Sequence, residues 1–305
     1  MTELFTEVSN LATEQRNPSS MNMDIMSTGE ILKLINDEDA KVAQVVKQEI
    51  PQIEKVVNKL VSLLSSGGRL FYVGAGTSGR MGVIDAAECP PTFGTSPAQI
   101  QAIIAGGKDA VFRSQEGAED NAEKGGLEIA LQRCSDKDMV IGIAASKRTP
   151  FVIGALKKAS ELGSAAVLIT TNPRESLDTS YLFEAICPVV GPEVLMGSTR
   201  MKSALAQKMI VTMITTTTMV RLGKVFENMM VDLQLTNQKL SERAKRIIMM
   251  ATGVEYEKAA ELLKTSGNHV KSAIVMHKKS VTPQEAKKLI ADAGGFVRTA
   301  INING

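Results

Sequence analysis

The sequence predicts an α/β protein with a doubly wound, parallel sheet of five strands, preceded by N-terminal helices and followed by a small C-terminal helical bundle. Three observations predict this class. Short apolar stretches alternate with helical patterns of about ten to fifteen residues through the middle of the chain. A glycine-rich turn follows the first apolar stretch, and residues 241–305 are amphipathic at helical spacing. We expect an arm with helices at 1–54, a sheet domain at 55–225 and a helical domain at 226–305.

The N-terminal region divides into an arm and helices. Residues 1–27 are rich in Thr, Asn, Ser and Met without a helical or strand period, which predicts an extended arm. A helix should begin after Ser27, because Ser27 and Glu30 have the spacing of a capping box. Residues 37–64 then keep helical spacing, and Pro51 marks a break or a new first turn.

The predicted strands are short and apolar, as buried parallel strands are. Their positions are 69–73, 99–105, 139–144, 165–170 and 184–190. Predicted helices lie at 78–88, 115–131, 150–162 and 199–225, and the first of them should stop at Pro90 and Pro91. In such a sheet the ligand binds beyond the carboxyl ends of the strands.

The turn GAGTSGR, which starts at Gly74, follows the first strand and opens a helix. Its glycines allow backbone N–H groups to approach an anion, and Thr77 and Ser78 add two hydroxyls. The spacing also fits a dinucleotide fingerprint, but the next strand ends in two glycines and Lys108 rather than an acidic residue. A phosphate ester is the favoured guest, while a dinucleotide site and a purely structural turn stay open.

Composition and charge limit the classes of partner and cofactor. The 35 basic and 33 acidic residues are mixed along the chain, so we expect neither a nucleic acid nor a membrane surface as partner. The acidic, polar start and the lack of a membrane-length apolar run predict a cytoplasmic protein. Cys89, Cys134 and Cys187 are expected to be free thiols. Two histidines without nearby ligands predict no metal, and we expect no nicotinamide cofactor.

Six runs in order resemble the N-acetylmuramic acid 6-phosphate etherase family, which has a sugar isomerase (SIS) domain. They are TEQRNP in the arm, GAGTSGR in the turn, DAAECPP at 85–91, EGAEDN at 116–121, AASKRTP at 144–150 and GPEVLMGSTRMKS at 191–203. The resemblance implies a homodimeric, cofactor-free lyase of cell-wall sugar recycling. It would cleave the D-lactyl ether of N-acetylmuramic acid 6-phosphate, giving N-acetylglucosamine 6-phosphate and D-lactate.

The resemblance also implies site residues. Glu88 matches the acid that protonates departing lactate, and Glu119 matches the base that removes the C2 proton. Considered alone, Glu88 equally suits a helix end and Glu119 the first turn of a helix. The resemblance implies substrate binding by three groups of residues, Gly76, Thr77 and Ser78, then Ser146 and Thr149, then Ser198, Thr199 and Arg200.

Several alternatives stay open at this point. Lys147 stands where the family pattern has glycine, so it either pairs with phosphate or disturbs the turn. Arg200 contacts the ligand or is a solvated residue at a helix start. Glu88 lies roughly 15 Å along an unbroken helix from the turn, so either that helix ends early near Gly82 or Glu88 completes a partner's site. Residues 252–276 resemble a ubiquitin-associated three-helix fold, expected to be a packing module.

Two other functions compete with the lyase. The first is a non-catalytic sugar-phosphate sensor like glucokinase regulatory protein, which is related to the etherase family. The second is an aldose–ketose isomerase, which shares the fold but gives no reason for the DAAECPP and EGAED runs.

Overall fold

The computed structural model describes residues 11–235 and 237–303. The chain forms two compact units. The first consists of Ala98–Thr215 with the chain up to Ala87, and the second of Glu88–Pro97 with the chain from Thr216 onward.

A parallel sheet of five strands forms the centre of the first unit, in the order β2-β1-β3-β4-β5. Four of its strands are five residues long, and the predicted fifth strand is shorter than expected. The predicted fold class is confirmed. The strands are β1 (Leu70–Gly74), β2 (Ile100–Ile104), β3 (Met139–Ile143), β4 (Ala165–Ile169) and β5 (Glu184–Ile186).

Alternate side chains of each strand point to opposite faces of this sheet. Both faces are therefore apolar, and helices cover both. Phe71 and Val73 of β1 share a buried cluster with residues of the helices Ala122–Leu131 and Pro150–Glu161. Tyr72 points the other way, toward Gly82 of the helix Gly76–Phe93. The helices that begin in this unit are α1 (Thr28–Asp39), α2 (Val42–Gln48), α3 (Ile50–Ser65), α4 (Gly76–Phe93), α5 (Ala122–Leu131), α6 (Pro150–Glu161) and α7 (Lys202–Arg221).

The N-terminal predictions are partly confirmed. Ser27 and Glu30 form both hydrogen bonds of a capping box at the start of α1. Pro51 lies in the first turn of α3. The arm was predicted to be extended, but in residues 11–27 it contains three short 3-10 turns, and residues 1–10 lie outside the described range.

Two predicted helix boundaries are wrong. Pro90 and Pro91 do not stop α4, which runs on to Phe93. The fixed φ of proline is compatible with a helix, and the missing N–H groups remove only the hydrogen bonds to carbonyls one turn upstream. The helix predicted at 115–131 starts only at Ala122. Gly117 has a left-handed φ of 72° that interrupts a helix, and Asn121 caps α5 by accepting the Lys124 N–H.

The long helix also differs from its prediction. It ends at Arg221, before Gly223 with a φ of 74°. A hairpin of β6 (Val225–Phe226) and β7 (Met229–Met230) then follows, which the sequence analysis missed because each strand is two residues long.

The second unit has a helical core, as predicted for the C-terminal region. Its buried cluster includes Ile248, Leu263, Ile274 and Ile290. Within residues 11–235 and 237–303, no helix combines the length and the apolarity that a bilayer crossing needs. Cys89, Cys134 and Cys187 are buried, and none of these three forms a disulfide, as predicted. The C-terminal helices are α8 (Gln238–Thr252), α9 (Tyr256–Thr265), α10 (Val270–Lys279), α11 (Pro283–Asp292) and α12 (Val297–Asn302).

Two glycines bring α5 and α6 into backbone contact. A Cβ on Gly125 of α5 would lie 1.9 Å from the carbonyl oxygen of Phe151. A Cβ on Gly154 of α6 would lie 2.0 Å from the carbonyl oxygen of Ala122. Because α5 starts directly after the EGAED loop, this packing fixes where that loop ends.

We predict that Gly154→Ala lowers the free energy of unfolding by about 3 kcal/mol, since backbone atoms cannot move aside as a side chain can. Gly29→Ala is the matched control, because Gly29 lies in α1 with nothing within 4 Å of an added Cβ. It should be neutral or stabilising by up to about 1 kcal/mol. Urea-denaturation midpoints measure both, and equal midpoints would contradict the close helix contact.

Candidate functional site

The first loop of the candidate site is the tight turn between β1 and α4. A Cβ on Gly74 would lie 2.6 Å from the Gly79 nitrogen, and a Cβ on Gly79 would lie 2.7 Å from Ile104 Cγ1. Side chains therefore do not fit at these two positions. Thr77 and Ser78 occupy the first turn of α4 and are half-exposed. Their hydroxyls and the N–H groups of this helix start form a setting that suits an anion.

The second loop follows the neighbouring strand. Gly74 at the end of β1 is paired with Ile143 at the end of β3, so the loops after these strands begin side by side. Ser146 and Thr149 in this second loop are half-exposed. Thr149 is the residue before α6, and its hydroxyl does not cap that helix. A ligand can therefore use this hydroxyl and the start of α6.

Three side chains from the end of β4 fix the start of the second loop. The Ala145 carbonyl accepts hydrogen bonds from Thr170 Oγ1 at 3.1 Å, Thr171 Oγ1 at 3.1 Å and Asn172 Nδ2 at 2.7 Å. Each of these donors is buried. The backbone immediately before Ser146 is thereby held in one position.

Lys147 keeps the second loop in the shape of a glycine turn. Its φ is 58°, which is left-handed and unfavourable for a residue with a Cβ. Its ammonium donates to the Ser176 carbonyl at 3.0 Å. The alternative in which Lys147 disturbs the turn is not what the structure shows, and its side chain is directed toward the loop after β4. Pairing of Lys147 with phosphate stays a prediction.

The third loop carries Ser198, Thr199 and Arg200 just before α7. Glu193 in this loop is fully buried, and its two oxygens accept the N–H groups of Lys202 and Ser203, each at 2.9 Å. The protein's own carboxylate therefore fills the anion-binding start of α7.

A buried ion pair ties this loop to the N-terminal part of the chain. Glu38 and Lys202 are 4% and 3% exposed, and Lys202 Nζ lies 2.6 Å from Glu38 Oε2. Asn17 donates to Glu38 at 3.0 Å and to the Pro192 carbonyl at 3.1 Å. Burial raises the pKa of Glu38, but hydrogen bonds from Lys202, Lys41 and Asn17 outweigh it and lower the pKa to about 2.

Glu119 lies beside the first loop. It is exposed, within the 3-10 turn Ala118–Asp120, and lines a cavity of about 100 Å³ together with Gly76 and Arg80. The Arg80 guanidinium donates to the carbonyls of Ala110 at 2.8 Å and Val111 at 2.9 Å, which holds the chain before Glu119. The structure thus brings a carboxylate to the turn that the sequence predicts to bind phosphate.

Glu88 is exposed and belongs to the second unit. It lies on α4, which is unbroken from Gly76 to Phe93. The alternative in which the helix ends early near Gly82 is therefore wrong.

Asp85 is a third carboxyl group that the sequence analysis did not select. It is 8% exposed and accepts hydrogen bonds from Tyr72 Oη at 3.0 Å and Thr215 Oγ1 at 3.1 Å. Burial raises its pKa to about 6, against those hydrogen bonds, which lower it. The available signal was its helical spacing from Gly82 and Cys89, which are buried on the same stripe of α4.

Comparison of this chain with known proteins gives a match to a family model and several similar proteins. Residues 52–160 match the family described as glucokinase regulatory protein N-terminal SIS domain. An N-acetylmuramic acid 6-phosphate etherase of Salinibacter ruber is 55% identical over 299 residues, with 98% of this chain and 96% of that protein covered. Etherases of the same name are 50% identical in Clostridium acetobutylicum, with 98% of each chain covered, and 47% identical in Vibrio cholerae, with 98% of this chain and 97% of that protein covered.

We predict that Lys202→Met lowers the free energy of unfolding at pH 7 by about 3–5 kcal/mol, because Glu38 then stays buried without its ammonium partner. Lys33→Met, at an exposed position of α1, is the control and should change it by less than about 0.5 kcal/mol.

The pH dependence of this effect follows from the depressed pKa of Glu38. A folded pKa of about 2 lies below the unfolded value near 4.3, so the carboxylate contributes stability above about pH 4 that is lost as the pH falls toward 2. The difference between wild type and Lys202→Met should shrink over that window in urea titrations. A difference that stays constant from pH 7 to pH 2 would contradict the ion pair as its source.

Proposed function

This chain belongs to the N-acetylmuramic acid 6-phosphate etherase family, and we propose that it cleaves the D-lactyl ether of that sugar phosphate. The products are N-acetylglucosamine 6-phosphate and D-lactate. The observation that carries this proposal is the 55% identity over 299 residues, a span that includes both compact units. A lactate-release assay with the purified protein tests it.

The phosphate group of the substrate binds, in this proposal, at the first and second loops. Gly76, Thr77 and Ser78 supply amides and hydroxyls at the start of α4, and Ser146 and Thr149 supply hydroxyls beside them. The pairing of Gly74 with Ile143 supports this assignment, because it makes the two loops neighbours. A dianion gains from helix starts and hydroxyl donors without a compensating positive side chain.

The third loop is proposed to contact the other end of the substrate. Ser198, Thr199 and Arg200 are polar, and Arg200 is exposed. Because Glu193 already occupies the N–H groups at the start of α7, a lactyl carboxylate would be bound by these side chains. The guanidinium of Arg200 suits a carboxylate geometrically and electrostatically.

The reaction needs a base and an acid. After the sugar opens to its aldehyde, Glu119 removes the C2 proton and leaves an enolate. The electron pair of the enolate then forms the C2–C3 double bond as the C3–O bond breaks. Glu88 gives a proton to the lactate oxygen that leaves with the bonding pair. Water then adds its oxygen to C3 and gives a proton to the Glu88 carboxylate, while the protonated Glu119 returns a proton to C2. The scheme uses no cofactor. The assignment of Glu119 as the base is supported by the cavity that Glu119 and Gly76 both line.

In this proposal the protein is a homodimer, and Glu88 of each subunit acts in the site of the other subunit. The unbroken α4 leaves the second alternative of the sequence analysis, in which Glu88 of the partner subunit completes the site. Glu88 is exposed, as that arrangement requires. We further propose that the enzyme acts in the cytoplasm, in peptidoglycan recycling and N-acetylmuramate catabolism.

The competing candidate is a sugar-phosphate sensor. The match of residues 52–160 to the glucokinase regulatory protein domain favours it specifically. A sensor would bind the sugar phosphate without releasing lactate, so the same assay separates the two functions.

We predict that unphosphorylated N-acetylmuramic acid is a poor substrate, because it lacks the dianion that the first two loops bind. Thr77→Val should raise KM for the phosphorylated sugar by about tenfold, the loss expected for one hydrogen bond to a charged group. Steady-state lactate release with both sugars measures this. Comparable turnover of the two sugars would defeat the phosphate assignment.

We predict that Glu88→Gln and Glu119→Gln separate the two proton transfers. Glu88→Gln should keep C2 proton exchange with deuterated water while lactate release falls by about a hundredfold to ten-thousandfold. Glu119→Gln should lose both activities. Glu123→Gln, an exposed position in the first turn of α5, is the matched control and should keep both. In wild type, oxygen-18 from water should enter the sugar product at O3 and not lactate.

Mixing the two inactive variants tests the assignment of Glu88 to the partner's site. A heterodimer of Glu88→Gln and Glu119→Gln subunits has one intact site if Glu88 acts across the dimer, so lactate release should return. It stays inactive if both residues act within one chain. Label in the lactate hydroxyl, or near-normal activity of either variant alone, would show the elimination scheme to be wrong.

A further inference from the structure

A second cavity, of about 210 Å³, lies between α6 and the loop that follows β4. Three of its lining side chains are cationic, namely Lys147, Arg148 and Lys157. Asp178 is the acidic side chain among the described residues that line it. Its carboxylate already accepts the Ser180 N–H at 3.1 Å and the Ser180 hydroxyl at 2.6 Å. The cavity therefore carries an excess of positive charge of about two, which matches a phosphate dianion.

The remaining walls suit an organic group attached to that anion. The Lys157 ammonium lies 5.5 Å from the centre of the Tyr181 ring, so the ring borders the cationic part of the cavity. Leu168, which is 1% exposed, and the half-buried Ile153 form an apolar floor. A ligand in which an anionic group is attached to an apolar or sugar-like group fits such a combination of surfaces.

Lys147 links this cavity to the candidate site. It occupies a left-handed conformation, with a φ of 58°, that a residue with a Cβ adopts at an energetic disadvantage. The bond from its ammonium to the Ser176 carbonyl, at 3.0 Å, spans the edge of the cavity. Such strain is typical of functional positions, and here it directs a cation into a space with two others.

We propose that this cavity is a second anion site, which binds the phosphate group of a small phosphorylated ligand. Lys147 and Arg148 belong to the same loop as Ser146 and Thr149. A ligand that draws the Lys147 ammonium from Ser176 therefore changes the loop that holds substrate phosphate. This coupling rests on the proposed function, whereas the binding site itself does not. By linkage, substrate and second ligand alter each other's affinity by the same factor.

Tyrosine resonances provide a direct test of binding. The chain has three tyrosines and no tryptophan, and Tyr181 is the one that borders this cavity. With tyrosine labelled with carbon-13, inorganic phosphate should shift the Tyr181 ring signal saturably in wild type and in Thr77→Val. Lys157→Met should weaken this binding by about tenfold, because one charged partner is removed. Lys158→Met, a neighbour on α6 that pairs with Glu161, is the control and should bind as wild type does.

Further ligands identify the source of the phosphate. N-acetylglucosamine 6-phosphate that binds more tightly than inorganic phosphate identifies an organic phosphate ester, and the reverse order identifies free phosphate. Acetate should bind more weakly than both. The proposal is overturned if Tyr181 does not respond, if Thr77→Val abolishes its response, if Lys157→Met binds as wild type does, or if acetate binds as tightly as phosphate.

The coupling has its own readout. Saturating phosphate should change the apparent KM for substrate by a different factor in wild type and in Lys157→Met, since competition at the first site is common to both. Equal factors would overturn the coupling. Absence of lactate release with an intact Tyr181 response would refute the proposed function and leave the second anion site standing.

Discussion

The ion pair of Glu38 and Lys202 joins parts of the chain that are 164 residues apart in sequence. Both groups lose their hydration, which is costly unless each charge is paired and its remaining hydrogen bonds are made. Asn17 and Lys41 meet that condition for Glu38. Because Lys202 opens α7 and Glu38 lies on α1, this pair fixes the end of the third loop to α1. The N-terminal arm is attached to the same loop, because the Gly197 N–H donates to the Thr13 carbonyl at 3.1 Å.

Helix starts are used in different ways at this edge of the sheet. Glu193 fills the start of α7, so that helix is a structural anchor. The start of α6 has no side-chain cap, and α4 starts at Gly76, within the glycine turn. Two helix starts with nearby hydroxyls can bind phosphate without a lysine or arginine, whose charge would also attract unrelated anions. Positive charge is concentrated instead on the other side of the second loop, at Lys147, Arg148 and Lys157.

The strands and the turn were predictable because their signals are local. Short apolar runs that alternate with helical patterns predict buried parallel strands, and all five runs contain strands. The hydroxyl and carboxylate spacing at Ser27 predicted a capping box, which is present. Resemblance to the etherase family added Glu88 and Glu119 to the list of candidates, since exposed glutamates carry no distinctive local signal.

Only the tertiary structure decided which polar groups are buried and what they contact. Asp85, Glu193 and Lys202 look like ordinary helix or loop residues in sequence, yet each is at most 8% exposed and has a partner far along the chain or across a helix start. For the same reason the sequence analysis wrongly ended α4 at Pro90 and Pro91 and left the direction of the Lys147 side chain open. Propensity and spacing act over a few residues, whereas burial depends on contacts between segments distant in sequence, and these set the energies of buried charges.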